Sequence, residues 1–207
     1  VNNDLRKQIE KFCEEALKPT KSGSPYNQLF EPKPHQIIRT VMAYGFDRAR
    51  LKYAYMLLRG KNFETEKYDK ELQEGYFNTL EIKLNDVLSL DNWHEFINCI
   101  RAAGYISDEL ILAENNMVYT YVMYLIGKKR FGIKDQKVLR KYISRWYYMV
   151  SVSAYYSSST ESTVQSDLNE LKTFNSEKDF LEFIDIKIGQ VFTDDYFEIT
   201  LPSRMNT

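Results

Sequence analysis

At 207 residues, 43% of them hydrophobic and 28% charged, the chain has a globular composition and enough length for one sizeable core or two small ones. Only 8 Gly and 5 Pro interrupt it, which favours helices. A formal net charge of −1 excludes a uniformly basic nucleic-acid coat, and no stretch approaches the roughly 20 apolar residues of a membrane span.

Leu5, Ile9, Phe12 and Ala16 recur at helical spacing until Pro19 stops them, which predicts a first helix over residues 3–18 within an N-terminal segment 1–18. Four of the five prolines then fall between Pro19 and Pro34, with Ser22, Gly23 and Ser24 among them, so residues 19–36 read as a linker that sets this helix apart. Ile37, Ile38, Val41 and Met42 begin a second helix that Gly45 interrupts, and Asp47 is placed to cap a third through Leu51, Ala54, Tyr55 and Leu58. Residues 66–88 carry Leu72, Tyr76, Leu80, Leu84 and Val87 on one face and many acids on the other, the pattern of a long solvated helix. Asn92 and Glu95 have capping-box spacing ahead of Phe96, Ile97 and Ile100, and Gly104 closes that helix. Ser107 opens a short helix, and Asn116 precedes another through Val118, Tyr121, Val122 and Leu125 to Gly127.

The most sustained pattern covers 137–154, where Leu139, Tyr142, Ile143, Trp146, Tyr147, Val150 and Ala154 keep i, i+3, i+4, i+7 order. The run YYSSSTE that follows ends one helix and starts the next, Ser158 with Glu161 forming a predicted capping box ahead of Val164, Leu168 and Leu171. Ser176 and Asp179 repeat the device before Phe180, Phe183, Ile184 and Ile188, and residues 191–207 read as a short extended tail. The fold expected is all-α, an irregular bundle of about eight to ten helices whose main domain is 37–190.

Motifs that carry chemistry are scarce. The opening VNNDLRKQIEKF is polar and lacks a signal-peptide core. Cys13 and Cys99 lie far apart on apolar helix faces and form no Cys-x-x-Cys pair, so they read as buried thiols in a reducing cytoplasm rather than a zinc or disulfide framework. His94 and Glu95 begin HEFIN, but Asn98 stands where a zinc helix needs its second histidine. His94 is therefore read on a surface helix, and with His35 the only other histidine, no metal site is expected. Neither Gly-x-Gly-x-x-Gly nor Gly-x-x-x-x-Gly-Lys is present to cradle a phosphate, and no serine lies in Gly-x-Ser-x-Gly. No catalytic residue, metal or cofactor is assigned to this segment.

Charge is more informative. Between Lys128 and Arg145, eight cations face a single acid, Asp135. Lys128, Lys129, Arg130, Lys134, Lys137, Lys141 and Arg145 are the candidate nucleic-acid-binding set, with Lys137, Lys141 and Arg145 spaced i, i+4, i+8 along one helix face, where they suit a phosphate backbone. The competing reading is a solvated face, or pairing with the acidic stretches at 64–95 and 161–198. Most aromatics fall on apolar helix faces and read as core, Tyr155 and Tyr156 beside the serines being the exceptions.

Four blocks carry a family resemblance in order: NWHEFINCIRAAGYIS (92–107), NNMVYTYVMYLIG (115–127), RWYYMVSVSAYYSSSTESTVQSDLNEL (145–171) and YFEITLP (196–202). Together they resemble the middle region of GmrSD-type proteins, prokaryotic DNA-restriction and phage-defence proteins. The Arg-Trp pair, the tyrosine before the serines, Ser-Thr-Glu and the following Asp-Leu look like that family's most recognisable block outside its active sites. The resemblance implies a three-part protein: a ParB-like or sulfiredoxin-like domain with an Asp-Gly-Gln-Gln-Arg motif, a helical middle, and often a C-terminal His-Asn-His-type nuclease domain. This chain contains no Asp-Gly-Gln-Gln-Arg and lacks the nuclease histidines, so no catalytic residue of the family carries over.

Within the longest block, the physical expectation is that Trp146 anchors the core, with Tyr155 as the tyrosine ahead of the serines. Ser158 and Glu161 would fix an interhelical angle, and Arg145 would pair with an acid such as Asp167 or contact DNA. The expected function is a non-catalytic middle domain that positions nucleotide-dependent and nuclease domains, with flanking domains of the same chain and DNA as partners and no membrane. Val1 in place of Met and the unpacked tail favour excision from a longer protein. The alternative is a stand-alone protein–protein interaction module; a hydrolase using the serine run is a third reading.

Overall fold

Helical apolar spacing becomes nine α-helices among residues 2–18 and 29–200, the part of the chain that the computed structural model describes. In chain order these are α1 (Asn2–Glu15), α2 (Pro34–Phe46), α3 (Lys52–Leu58), α4 (Lys70–Val87), α5 (Leu90–Ala102), α6 (Glu114–Leu125), α7 (Gln136–Ser153), α8 (Thr160–Leu171) and α9 (Glu177–Val191). The fold is all-α: the described residues contain no sheet, only an isolated antiparallel bridge between Lys61 and Tyr68. None of these helices is long and apolar enough to cross a membrane.

α6 is the axis of the bundle. Every residue from Asn116 to Leu125 is buried, as expected of a helix that is apolar all round and has neighbours on all sides. α2 and α7 pack against it, α7 also packs against α5 and α9, and α4 packs on α2. The α7 stripe buries Leu139, Ile143, Trp146, Tyr147, Met149 and Val150, while Asp135 caps its start by accepting from the Lys137 and Val138 amides at 2.8 and 3.3 Å. Gly127 is required for close approach, because a Cβ there would stand 2.8 Å from Phe180 Cε1 of α9 and 3.0 Å from Leu139 Cδ1.

α1 is not set apart. Ile9, Phe12, Cys13 and Ala16 enter the common core, and the Phe12 ring meets Trp93 of α5 edge-on at 5.9 Å. Residues 19–28 of the expected linker lie outside the described residues, Leu29 and Phe30 are buried, and α2 begins at Pro34, ahead of the expected 37. Proline suits a first turn because its fixed φ is already helical and its missing N–H would have had no partner there. Gln36 Oε1 accepts from the Lys33 amide at 2.8 Å to complete that start.

Several caps differ from expectation, each for a local reason. Gly45 lies inside α2, and Asp47 ends that helix in the left-handed conformation (φ 52) instead of starting α3; aspartate tolerates that region better than most residues. Ser89, not Asn92, caps α5 by accepting from the Asn92 amide, while the Asn92 side chain donates to the Asp86 carbonyl at 2.8 Å. Asn116 lies within α6, which starts at Glu114. The capping box at Ser158 is absent. Ala154 turns left-handed (φ 55), Ser157 Oγ donates to the Ala154 carbonyl, Thr160 Oγ1 donates to the Tyr156 carbonyl, and α8 starts only at Thr160 with Ser158 exposed. The Ser176–Asp179 box is present: the Asp179 amide donates to Ser176 Oγ at 3.2 Å and Asp179 Oδ2 accepts from the Ser176 amide at 3.0 Å.

The contrast makes a prediction. Ser176→Ala should cost about 1 kcal/mol of stability as a lost cap, whereas Ser158→Ala should stay within about 0.5 kcal/mol. Urea unfolding of both variants checks it, and equal losses would remove the distinction between the two turns.

Past α9, Tyr196–Thr200 coil into a π-helical turn, with the Tyr196 hydroxyl donating to the Val152 carbonyl at 3.0 Å beside Phe192 and Phe197. This part of the expected tail is therefore packed on α7, and residues 201–207 lie outside the described residues.

Candidate functional site

The basic run begins where α6 widens into a π-helical turn, Ile126–Arg130, closed by the Phe131 amide donating to the Ile126 carbonyl at 3.0 Å. Three consecutive cations on this turn reach acids of three different elements. Lys128 Nζ donates to Glu95 Oε2 of α5 at 2.5 Å, Lys129 Nζ lies 3.0 Å from Asp86 Oδ1 of α4, and Arg130 Nη2 donates to Asp47 Oδ1 at the end of α2 at 2.7 Å. Arg130 also donates to the Tyr44 carbonyl at 3.0 Å, one of the carbonyls left open where α2 stops.

Two of the three acids, Glu95 and Asp86, have a further partner. Glu95 accepts from the Tyr124 hydroxyl at 2.6 Å and from Gln136 Nε2 at 3.0 Å; burial pushes its carboxyl up, but the Lys128 and Tyr124 hydrogen bonds outweigh that and hold it below the ordinary glutamate value. Asp86 accepts from the Tyr44 hydroxyl at 2.8 Å. Arg145, exposed on α7, donates to Asp185 of α9 at 2.6 Å beside the Tyr142 hydroxyl, which donates to the same carboxylate at 3.1 Å. Its partner is thus Asp185 and not Asp167.

Four of the seven candidate DNA-contacting cations are therefore engaged by carboxylates of the fold. Lys134, Lys137 and Lys141 differ: all three are exposed and join none of the ion pairs among the described residues, and Lys141 Nζ lies 5.8 Å from the Tyr142 ring. They occupy the N-terminal end of α7 and the loop before it, with exposed Arg140 among them.

At the other end of α7 the longest sequence block folds into a polar corner. Trp146 is fully buried, stacked on Phe183 of α9 at 5.8 Å and edge-on to Tyr155 at 5.9 Å. Asp167 of α8 is 2% exposed and accepts from the Tyr155 hydroxyl at 3.0 Å and the Tyr156 hydroxyl at 3.5 Å, with Lys187 Nζ of α9 at 3.6 Å. Burial drives its carboxyl up to about 6 in spite of Lys187. Glu161 does tie two helices together, but through Arg39 of α2 at 2.9 Å and without Ser158.

Comparison with protein families, curated proteins and solved structures gave no match. The chemistry must be judged from the side chains themselves. A carboxylate near 6 beside a lysine and two tyrosines has the parts of an acid–base device, yet Asp167 is sealed on all sides and stands where it can lock α7, α8 and α9 together. The described residues hold no group of three His, Cys, Asp or Glu arranged for a metal ion. Burial pushes the Cys13 thiol up to about 11 and the Cys99 thiol up to about 12, which leaves both as unreactive thiols. His94, read from the sequence on a surface helix, is buried next to the Ala16 backbone, and the loss of water lowers its pKa so that the ring stays neutral.

Several participants escaped the sequence reading, among them Tyr124, which completes the Glu95–Lys128 cluster, Asp86 and Asp185, the partners of Lys129 and Arg145, Arg39, the partner of Glu161, and Lys187, the cation opposite Asp167. The only signal available was the excess of acids in 64–95 and 161–198, which announces partners for the basic run without naming them.

Proposed function

We propose that this chain is the non-catalytic helical middle domain of a GmrSD-type DNA-restriction and phage-defence protein. It would hold a nucleotide-dependent domain and a nuclease domain in fixed relation and touch DNA through the N-terminal end of α7. The observation that carries the reading is where the four resembling blocks meet. Blocks 92–107 and 115–127 contribute α5 and the body of α6, both packed on α7; block 145–171 supplies the end of α7 and all of α8; block 196–202 returns through Tyr196 to the Val152 carbonyl. Residues that resemble one family therefore share one core, as a module transmitted as a unit would require.

The DNA contact proposed is narrower than the basic run as a whole, resting on Lys134, Lys137 and Lys141 with Arg140 beside them. Reversing the three lysines to glutamate should weaken duplex binding and lower the slope of log K against log salt by about 3, one for each lost phosphate contact. Fluorescence anisotropy with a labelled duplex at several salt concentrations measures it. A slope unchanged by the triple variant, or no duplex binding by the native chain, would remove DNA from the proposal.

The family reading is tested separately by sequencing the native gene on both sides of this segment. An Asp-Gly-Gln-Gln-Arg motif upstream and a histidine-rich nuclease motif downstream are expected. Flanks with neither would leave the interaction-module reading in the lead.

A further inference from the structure

The connection between α5 and α6 leaves large aliphatic side chains in water. Ile106 is 70% exposed, Leu110 46% and Leu112 93%, grouped around the short turn Asp108–Leu110 that Ser107 caps. One exposed leucine needs no explanation, but three on a single short connection mark an interaction site. Beside them opens a cleft of about 550 Å³ between this connection, the N-terminal end of α6 and the C-terminal end of α7. Buried Asn116 and Tyr156 line it. The Asn116 amide makes one long contact, 3.5 Å from Nδ2 to Ser151 Oγ, so a nearly buried group that can both donate and accept keeps hydrogen-bonding capacity for an occupant.

The unpaired charge beside the cleft is acidic. From Tyr105 to Asn116 the sequence holds Asp108, Glu109 and Glu114 and no lysine or arginine. Lys33 neutralises Glu114 at 2.5 Å. Asp108 and Glu109 are exposed and join none of the ion pairs among the described residues.

We infer that this cleft and its aliphatic lip dock a segment of another polypeptide that carries an apolar side chain flanked by lysine or arginine. The apolar side chain enters between Leu110, Leu112 and Tyr156, the Asn116 amide pairs with a backbone peptide group, and the flanking cations meet Asp108 and Glu109. A surface whose unpaired charges, Asp108 and Glu109, are both acidic repels phosphates, which sets it apart from the lysines at the opposite end of α7. The inference does not depend on the DNA-defence reading.

The test titrates the whole chain with fluorescent synthetic peptides bearing a central leucine flanked by lysines, alongside matched peptides with glutamate in place of lysine. Saturable binding of the lysine peptide is expected, about tenfold tighter than the glutamate peptide and about tenfold weaker with Leu112→Asp. Leu112 is so exposed that this variant should melt with the native chain. Asp108→Asn with Glu109→Gln should weaken binding and flatten its salt dependence, and hydrogen exchange should slow at 105–116 and 151–157 in the complex. Any of four results would overturn the inference: neither peptide binds, both bind alike, Leu112→Asp binds as the native chain does, or a single-stranded oligonucleotide displaces the peptide. A concentration-dependent dimer abolished by Leu112→Asp would overturn it too, by assigning the surface to a second copy.

Discussion

Exchanging Arg130 for Ala is expected to lower the unfolding free energy by about 3 kcal/mol and to leave the salt dependence of duplex binding unchanged. The guanidinium is mostly withdrawn from water, donates to Asp47 Oδ1 at 2.7 Å and to the Tyr44 carbonyl at 3.0 Å, and faces a carboxylate more buried than itself. Removing it leaves that carboxylate and the end of α2 without their shared donor, which costs more than the pair contributes when intact. Lys137→Ala should do the reverse, moving stability by less than about 0.5 kcal/mol while lowering the salt slope by about 1. A double-mutant cycle of Arg130→Ala with Asp47→Asn should return a coupling of about 1–3 kcal/mol, since asparagine keeps the left-handed turn while losing the charge. Urea unfolding and duplex titration on the native chain and these four variants read both axes. If Arg130→Ala weakened duplex binding with no loss of stability, the division of the basic run into tied and free cations would fall.

That division could not be read from the sequence. Lys128, Lys129 and Arg130 are neighbours in the chain, and their acids, Glu95, Asp86 and Asp47, come from three separate stretches upstream; which acid stands opposite which cation is settled only when α2, α4, α5 and α6 pack. The π-helical turn adds to the difficulty, because its wider spacing points three consecutive side chains in directions that helical numbering at 3.6 residues per turn does not anticipate. The apolar stripe turns Lys137 and Lys141 of α7 outward, but it does not say whether an acid meets them there: Arg145, spaced on the same face, pairs with Asp185.

The same reasoning accounts for the helices and their ends. Leu139, Ile143, Trp146 and Val150 announce α7 because burial of one face imposes the period, whereas Val118, Tyr121, Val122 and Leu125 announce α6 without showing that it is buried on every side. Caps depend on a single residue's φ and ψ, and Ser157, Ser158 and Ser159 offered several registers of which the left-handed Ala154 selects one. The polar corner was half legible: Trp146 as an anchor follows from the stripe, but Asp167 reads as an ordinary helix-surface acid until Tyr155, Tyr156 and Lys187 close over it.

Asp167 should also make the native chain and Asp167→Asn respond differently to pH. Its carboxyl is pushed by burial up to about 6, while Lys187 is raised, its own burial being outweighed by Glu170 and Asp167. The two directions disagree about whether the pair is favourable, and the geometry shows why both hold. Lys187 keeps some contact with water and shares its charge with Glu170 at 2.9 Å, whereas the Asp167 carboxylate has almost no water to lose its charge to and sits 3.6 Å from the ammonium. For the carboxylate, dehydration wins.

The sign follows from proton binding. An unfolded aspartate titrates near about 3.9, so between there and about 6 the folded chain holds a proton that the unfolded chain has released, and this group adds stability as pH falls through that window. At 1.36 kcal/mol per pH unit the gain approaches about 3 kcal/mol, fully present below the unfolded value and absent above the folded one. Glu95 acts in the opposite sense: its carboxyl is held low, so its contribution fades as pH falls through its folded value. The informative quantity is therefore the native chain minus Asp167→Asn, in which Glu95 cancels. That difference should climb by about 2 kcal/mol in favour of the native chain between about pH 7 and pH 4, with the variant at least as stable at the neutral end. Urea midpoints across the range give it directly. A flat difference would mean that water or Lys187 already satisfies the charged carboxylate, and a falling one would make the Asp167–Lys187 pair a net stabiliser of the corner in which α7, α8 and α9 meet.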